Sequence, residues 1–579
     1  MVLFLLVFIP LNGWTSNKYL TIELFGLNNE EKQVVLANLS IKNAEEEKRL
    51  SKEAILSFYQ IAPEEITATL ETLGYYHSKV DSELYSSAEG FIARYFIQPG
   101  PATIIEKTNI KILGEGQYNP VLNTLATRSP FKIGSRLKHA EYETFKQRLL
   151  AKALQLGYLD AVFNVNEIRV DPNQNTASIL LELDTGTQFK LGEVTFPSAP
   201  YPVDYLKGYI PFSTGSPYTT EQLLSLQKAL VDSDLFTKVR IDPQLNDTQN
   251  FLVPLQVRLK PKPHNKYMAS IGFGTDTGPR GMLGWERRRN AYPGHRININ
   301  GHISKRRNQL NAQYTIPGKN PSTDRLAFGA QLTEERPPDR TYSLTNKLSV
   351  THLQKRGRFE RVFGLNYLSV VYRTLPTDPK ERTHFLLPST GFVWNNIKKR
   401  TLLQQGLWFS CNLQAGLKSA LSSANLIRGE GSAKWMLPLG DLTRLILRGN
   451  LGVTATSDFN KLPRSLRFFT GGDHTVRGFG YESLGPTKID KNGNVIVVGG
   501  RYLAVGSLEL ERKVYKNVGF AVFFDAGNAM NKWKTKLYKG AGFGFRYETP
   551  LGPLRLDIAK SMMRGKHKPR IDLNFGMNL

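Results

Sequence analysis

Side chains able to do chemistry gather toward the C-terminal end of this chain, in and after the run Gly472-Asp473-His474-Thr475-Val476-Arg477-Gly478-Phe479-Gly480. Asp473 beside His474 suggests an acid–base pair, but no partnered nucleophile accompanies it. Glu509 and Asp525 form a second candidate, since two carboxylates flanking a bond is the arrangement of glycoside hydrolysis. Arg477 argues for another use of them. Set between glycine-rich segments it has little to bond locally, and its planar fork of donors suits carboxylates. If the loop folds back into an enclosed space, Glu509 and Asp525 become its ion-pair partners and Phe523 lends an aromatic face. The chain has no G-x-S-x-G, H-E-x-x-H or P-loop, and no G-x-G-x-x-G opening a helix. The single cysteine, Cys411, excludes a disulfide framework and a thiolate metal site. Ion pairing is the chemistry these residues offer; no catalytic residue, metal or cofactor is expected.

The enclosure has to come from the segments around the loop. No interior stretch reaches the roughly 18 apolar residues of a transmembrane helix, and mean hydropathy is −0.32. Such a chain can span a membrane only as a closed barrel, because hydrocarbon offers nothing to an unpaired backbone group. From residue 265 onward, short runs alternate apolar and polar residues. Ile297, Ile299 and Ile303 interleave with Asn298, Asn300 and His302; Leu310, Ala312, Tyr314 and Ile316 interleave with Asn311, Gln313 and Thr315. Ile571, Leu573, Phe575, Met577 and Leu579 do the same with Asp572, Asn574, Gly576 and Asn578. A period of two turns one face to lipid and the other to a polar interior. Eleven such runs precede the arginine loop and five follow it, about sixteen in all. The expected fold is therefore an all-β transmembrane barrel over residues 265–579. Its first run, Lys266 to Gly274, carries Gly272 and Gly274, which weaken a strand interior. If it pairs with the last, Pro569 to Leu579, that seam is the weakest ladder of the wall; the glycines equally fit curvature needed to close it.

Charge divides along the same line. Residues 265–579 hold 50 Lys+Arg against 21 Asp+Glu, and the rest of the chain 26 against 29. Arg287-Arg288-Arg289, Lys305-Arg306-Arg307, Lys398-Lys399-Arg400 and Arg564 to Arg570 fall between the strand-like runs. Nucleic acid is the generic partner of such charge, but no aromatic-interleaved platform accompanies it. Loops and rims facing anionic outer-membrane lipid headgroups, most of the charge simply solvated, explain it better. At the other end Met1 to Pro10 is an apolar run ending near Gly13-Trp14-Thr15-Ser16. Residues 1–16 read as a secretion-signal-like segment without its basic leader.

Between these lie three segments of one layout: strand, helices, tight turn, two strands. The turns are Gly74-Tyr75-Tyr76-His77-Ser78-Lys79-Val80, Gly157-Tyr158-Leu159-Asp160-Ala161-Val162 and Ser233-Asp234-Leu235-Phe236-Thr237-Lys238-Val239. In the second copy Phe145, Leu149 and Leu156 recur at helical spacing, so that helix lays an apolar face on a sheet, and Gly157 suits its C-cap. Alternating strands close the copies, as in Ala177 to Leu183 and Leu252 to Leu259. Gly100-Pro101 and Gly186-Thr187 mark the junctions, and Lys260-Pro261-Lys262-Pro263 reads as a short stiff hinge.

The layout resembles tandem polypeptide-transport-associated (POTRA) α/β domains, at residues 20–103, 104–185 and 186–262. Val476-Arg477-Gly478-Phe479 matches the [VI]-R-G-[FY] motif of the outer-membrane insertase superfamily, whose members join POTRA domains to a sixteen-stranded antiparallel barrel. Downstream, Gly499-Gly500-Arg501 through Ser507-Leu508-Glu509 is similar to its G-G-x…S-x-E strand, and Phe523-Phe524-Asp525-Ala526-Gly527 to its F-x-D-x-G strand. Three POTRA copies resemble the TamA family best; BamA-like proteins carry five and two-partner secretion transporters two. Two departures stand out: Ser233-Asp234 where the other turns have Gly-Tyr, and a terminal Leu579 in place of an aromatic. The resemblance implies a non-catalytic bacterial outer-membrane subunit with POTRA arms in the periplasm. Those arms would dock strands by β-augmentation and contact a TamB-like inner-membrane-anchored partner. The clients would be outer-membrane proteins such as autotransporters. It further implies that the seam marked by Gly272, Gly274, Phe575 and Leu579 opens sideways to template incoming strands. Siblings of BamA or two-partner secretion type stay open as readings, as does a passive channel or enzyme barrel.

Overall fold

In the computed structural model, residues 20–42, 52–87, 90–288, 292–400, 403–533, 535–550, 552–563 and 568–576 are described. The signal-like segment, Arg289 and Leu579 lie outside them. The described residues form two compact units. One holds those up to Thr195 with Phe212–Ser225 and Ile241–Gln256; the other holds Phe196–Pro211, Leu226–Arg240 and those from Val257 onward.

Three small sheets repeat one topology. In each, the last strand lies in the middle, with the first strand on one side of it and the second on the other. Leu20–Phe25 runs parallel to Gly90–Gln98, which is antiparallel to Lys79–Ser87. Ile104–Leu113, Thr176–Asp184 and Val162–Asp171 repeat the arrangement, and Lys190–Thr195, Leu252–Pro261 and Phe236–Pro243 repeat its order. The alternation dictates which face is covered. Ala177, Ile179, Leu181 and Leu183 are all buried, in one core with Phe145 and Leu149 from the helix His139–Gln155. Leu156 is only partly buried, because the helix has already ended.

The turns join one repeat to the next. Gly74 and Gly157 have φ of 87° and 92°, where a side chain is strained. The Gly74 carbonyl accepts from the Thr103 amide at 2.8 Å, and that of Gly157 from the Phe189 amide at 2.8 Å. In the third repeat the left-handed residue is Asp234, at φ 57°. The equivalence is thus Asp234 for glycine and the buried Leu235 for tyrosine, one residue later than the sequence alignment of Ser233-Asp234 with Gly-Tyr. Aspartate tolerates this backbone, and here it adds a charge. Lys262 and Arg288 both bond its carboxylate, Arg288 Nη2 at 2.7 Å. Burial disfavours the Asp234 anion, but these two cations outweigh it and hold the carboxyl below the usual range. Since the Lys262 amide also donates to the Leu235 carbonyl at 2.8 Å, the Lys-Pro segment is fastened and is not a free hinge.

From Asn265 the chain closes an antiparallel barrel of sixteen strands among the described residues. Eleven run from Asn265–Gly274 to Thr443–Thr456, with Lys398–Arg400 continuing Glu381–Asn395; five run from Tyr502–Tyr515 to Arg570–Phe575. Ile271, Leu283, Ile303 and Leu310 are exposed on the outside, as a lipid-facing surface requires.

Two outcomes test these joints. Glu31 accepts from Arg136 Nη1 at 2.6 Å and from the Tyr75 hydroxyl at 2.9 Å, linking the first two repeats. Burial opposes its charge, but those donors and the Asn28 helix cap outweigh burial and hold its pKa below 4.5. The link therefore contributes fully above the ordinary glutamate range and is lost as pH falls through the lowered native value. Urea unfolding of the α/β half within the full chain should become easier on acidification, and Glu31→Gln should flatten that dependence; an unchanged slope would contradict the link. Asp234→Asn keeps the backbone geometry but removes a charged acceptor, so it should cost about 1–3 kcal/mol. The readout is hydrogen exchange at the Lys262 amide, which should speed up while the Gly157 turn stays as protected as before.

Candidate functional site

Residues 457–501 join the strand Thr443–Thr456 to Tyr502–Tyr515 and fold back inside the wall. Arg464 and Arg467 fix the base of this loop. Arg464 pairs with Glu482 and, at 3.5 Å, with Asp339. Arg467 donates to the carbonyls of Leu462, Val498, Phe459 and Asn460.

Arg477 sits where alternation has turned acidic side chains inward. Ser507 faces Asp525 and Glu509 faces Phe523 in the pairing of Tyr502–Tyr515 with Val518–Met530. Arg477 donates to Asp525 through Nε at 2.7 Å, Nη2 at 2.9 Å and its own amide at 3.1 Å. Nη1 reaches Glu509 at 2.9 Å and Asp557 at 3.5 Å, and Nη2 reaches Ser507 at 3.3 Å. Phe523 stacks under the guanidinium, its ring centroid 3.4 Å from Cζ. Arg477 is 2 % exposed and Asp525 0 %. Val476 is buried among Leu503, Val505 and Ala529, and Phe479 packs edge-on to Tyr538 at 5.7 Å.

The charges balance locally. Arg546 bonds Glu509 at 2.9 Å and Asp557 at 2.5 Å, and Arg448 approaches Glu509 at 3.6 Å. Three carboxylates thus face three guanidinium groups. A bare cation here would be prohibitive to bury; a network in which each partner is matched is not. The same pairing occupies Glu509 and Asp525, so neither is free to act as the acid or base of a hydrolase. His474 is exposed, 3.7 Å from Asp473, with no nucleophile beside it among the described residues.

The structure also closes the wall between its first and last strands, sparingly. Phe273 pairs with Phe575 and Gly274 with Asn574, and no further strand partners join them among the described residues. Neighbouring strands such as Phe359–Arg373 and Glu381–Asn395 pair along nearly their whole length. Gly272 lies so close that a Cβ there would stand 2.8 Å from the Phe575 carbonyl oxygen, and Gly576 turns at φ 95°.

Residues 293–579 match the Omp85 superfamily domain, and residues 21–99 match POTRA domain TamA domain 1. The chain is a TamA-like Omp85 protein. Its fold is similar to the crystal structure of BamA from Haemophilus ducreyi lacking POTRA domains 1–3, with a TM-score of 0.64 at 18 % identity, covering 82 % of this chain and 99 % of that one. CdiB from Escherichia coli aligns at 12 % identity over 95 % of this chain and 98 % of its own, with a TM-score of 0.48.

Two features of this Omp85 lumen escape a sequence reading. Asp557 and Arg546 join the network from the strands Gly552–Ser561 and Tyr538–Thr549; the alternation Leu554-Arg555-Leu556-Asp557-Ile558 does carry the signal. The basic clusters are the second. Arg288 and Arg570 are ion-paired, the former buried, so these members of the clusters are structural and not solvated rim charge.

Arg477→Ala leaves three acids facing two cations, and breaking a buried pair costs about 3–5 kcal/mol. The temperature at which the folded barrel loses its compact electrophoretic band should drop. Arg477→Lys, which keeps the charge without the fork, should fall between. Equal temperatures for all three proteins would contradict the pinning.

Proposed function

We propose that this chain receives unfolded β-rich proteins on its POTRA repeats and assists their insertion or secretion at the barrel seam. The coarse part, an outer-membrane protein assembly or secretion role, goes with the Omp85 superfamily. The observation that carries the finer part is the seam: among the described residues it has two residue pairs, where the other junctions of the wall have longer ladders. A wall meant only to enclose a pore has no use for such a junction, whereas an edge with unpaired N–H and C=O groups can template an added strand. The driving force is strand pairing and burial in lipid, with no covalent step.

In this reading the POTRA repeats lie in the periplasm and the barrel in the outer membrane. Autotransporter-type barrels are the clients, and a TamB-like inner-membrane-anchored protein docks on the repeats. The TamA-type first POTRA domain supports that choice of partner. A plain channel is the competing reading, and no specific observation favours it; the lumen loop is held against the inner wall by Arg477.

The test is a pull-down from membranes with the full chain, paired with client assembly in vesicles. Recovery of a periplasm-spanning partner, lost when residues 20–99 are deleted, together with accelerated folding of an autotransporter barrel, is the expected result. Ion conductance without any effect on client folding would overturn the reading.

A further inference from the structure

The tip of the lumen loop reaches past the pinned arginine to the far end of the seam, the end remote from the entry of the chain at Asn265. Asp276 occupies the turn between the first strand and Gly278–Arg287, with its side chain buried. It accepts from the Asp473 amide at 2.9 Å and pairs with Arg570 of the last strand. Arg570 also holds Asp572 at 2.6 Å. Asn574 donates to the Asp473 carboxylate and accepts from Arg280 Nη2 at 3.4 Å. The Leu573 carbonyl accepts from the Thr275 amide at 3.0 Å. Contact at the tip depends on Gly472, where a Cβ would stand 2.5 Å from Asp276 Oδ2.

We propose that Asp276, Asp473, Asp572 and Arg570 form a clasp that fastens the lumen-loop tip to both seam strands, so that the far end of the seam parts only when the tip lifts. Among the described residues the backbone ladder here is two residue pairs long, and these side chains add ion pairs and hydrogen bonds between the two edges. They also tie the seam to the loop that Arg477 anchors.

The clasp is short of positive charge: three carboxylates surround one guanidinium. The other charged groups nearby are Arg280, buried and bonded to Asn574, His474, exposed and 3.7 Å from Asp473, and Arg306, which donates to the Asp276 backbone carbonyl at 3.4 Å. Burial above all pushes the Asp276 carboxyl up, to about 7. The Asp473 and Asp572 charges add to that, against the Asp473 amide and Arg570. The fastened state therefore binds a proton that the parted state releases, and it is favoured below that pH and weakened as pH rises through it.

This inference rests on reading the seam as the working edge. The experiment uses the full chain in lipid nanodiscs with Cys411→Ser, spin labels at Lys305→Cys and Lys568→Cys, and pulsed electron resonance distances at about pH 6 and about pH 8, on either side of the expected transition. The parent should give a short, narrow distance at the lower pH that broadens at the higher one. Arg570→Ala and Gly472→Ala should give the long distance at both, and Asp276→Asn the short distance at both. Distances in Arg570→Ala and Gly472→Ala equal to the parent at both pH values would overturn the clasp. If they lengthen while client folding is unchanged, the clasp stands and the seam as working edge fails.

Discussion

A guanidinium group buried at 2 % exposure has to be matched in charge and in hydrogen bonds, or the fold around it does not form. Arg477 is matched by the walls that enclose it. Asp525 and Glu509 stand on neighbouring strands, Asp557 two strands further on, and Phe523 between them supplies its ring. The loop stays inside because the wall is acidic at that level. The wall can be acidic there because a cation arrives from the loop. Each half would be a liability without the other, so the lumen loop and the C-terminal strands must fold as one object.

That dependence sets where the molecule is firm and where it can give. The loop base is held by Arg464 and Arg467, the middle by Arg477, and the tip by the carboxylates around Arg570. Against this, the first and last strands share a ladder of two residue pairs among the described residues. A strongly anchored plug beside a weakly paired seam is an arrangement in which the backbone edges are the most easily parted element. In the proposed role, an edge that parts is where a client strand would be paired.

Much of this was legible in the residues because the membrane narrows the choices. A chain that crosses the membrane without a long apolar helix has to cross with alternating strands, and eleven runs before the loop and five after it leave little freedom in the topology. Arg477, Glu509, Asp525 and Phe523 could be brought together because the strand register is a local property of period two. What sequence could not carry was set by contacts distant in the chain. Asp234 looks like a degenerate copy of a glycine turn until its partners, Lys262 and Arg288, are in place. Arg570 reads as one more basic loop residue until Asp276, nearly three hundred positions earlier, meets it across the seam. Charges of that kind look solvated in a linear reading because nothing local pairs with them.

The interdependence of Arg477 and Asp525 is most directly tested by a double-mutant cycle on the barrel's unfolding free energy in lipid vesicles, using Arg477→Ala, Asp525→Ala and both together. If the guanidinium is held by that carboxylate, the double variant should be little worse than either single one, with a coupling of about 3 kcal/mol. Additive losses, within about 0.5 kcal/mol, would mean that the two residues act independently and that the loop is held by something else.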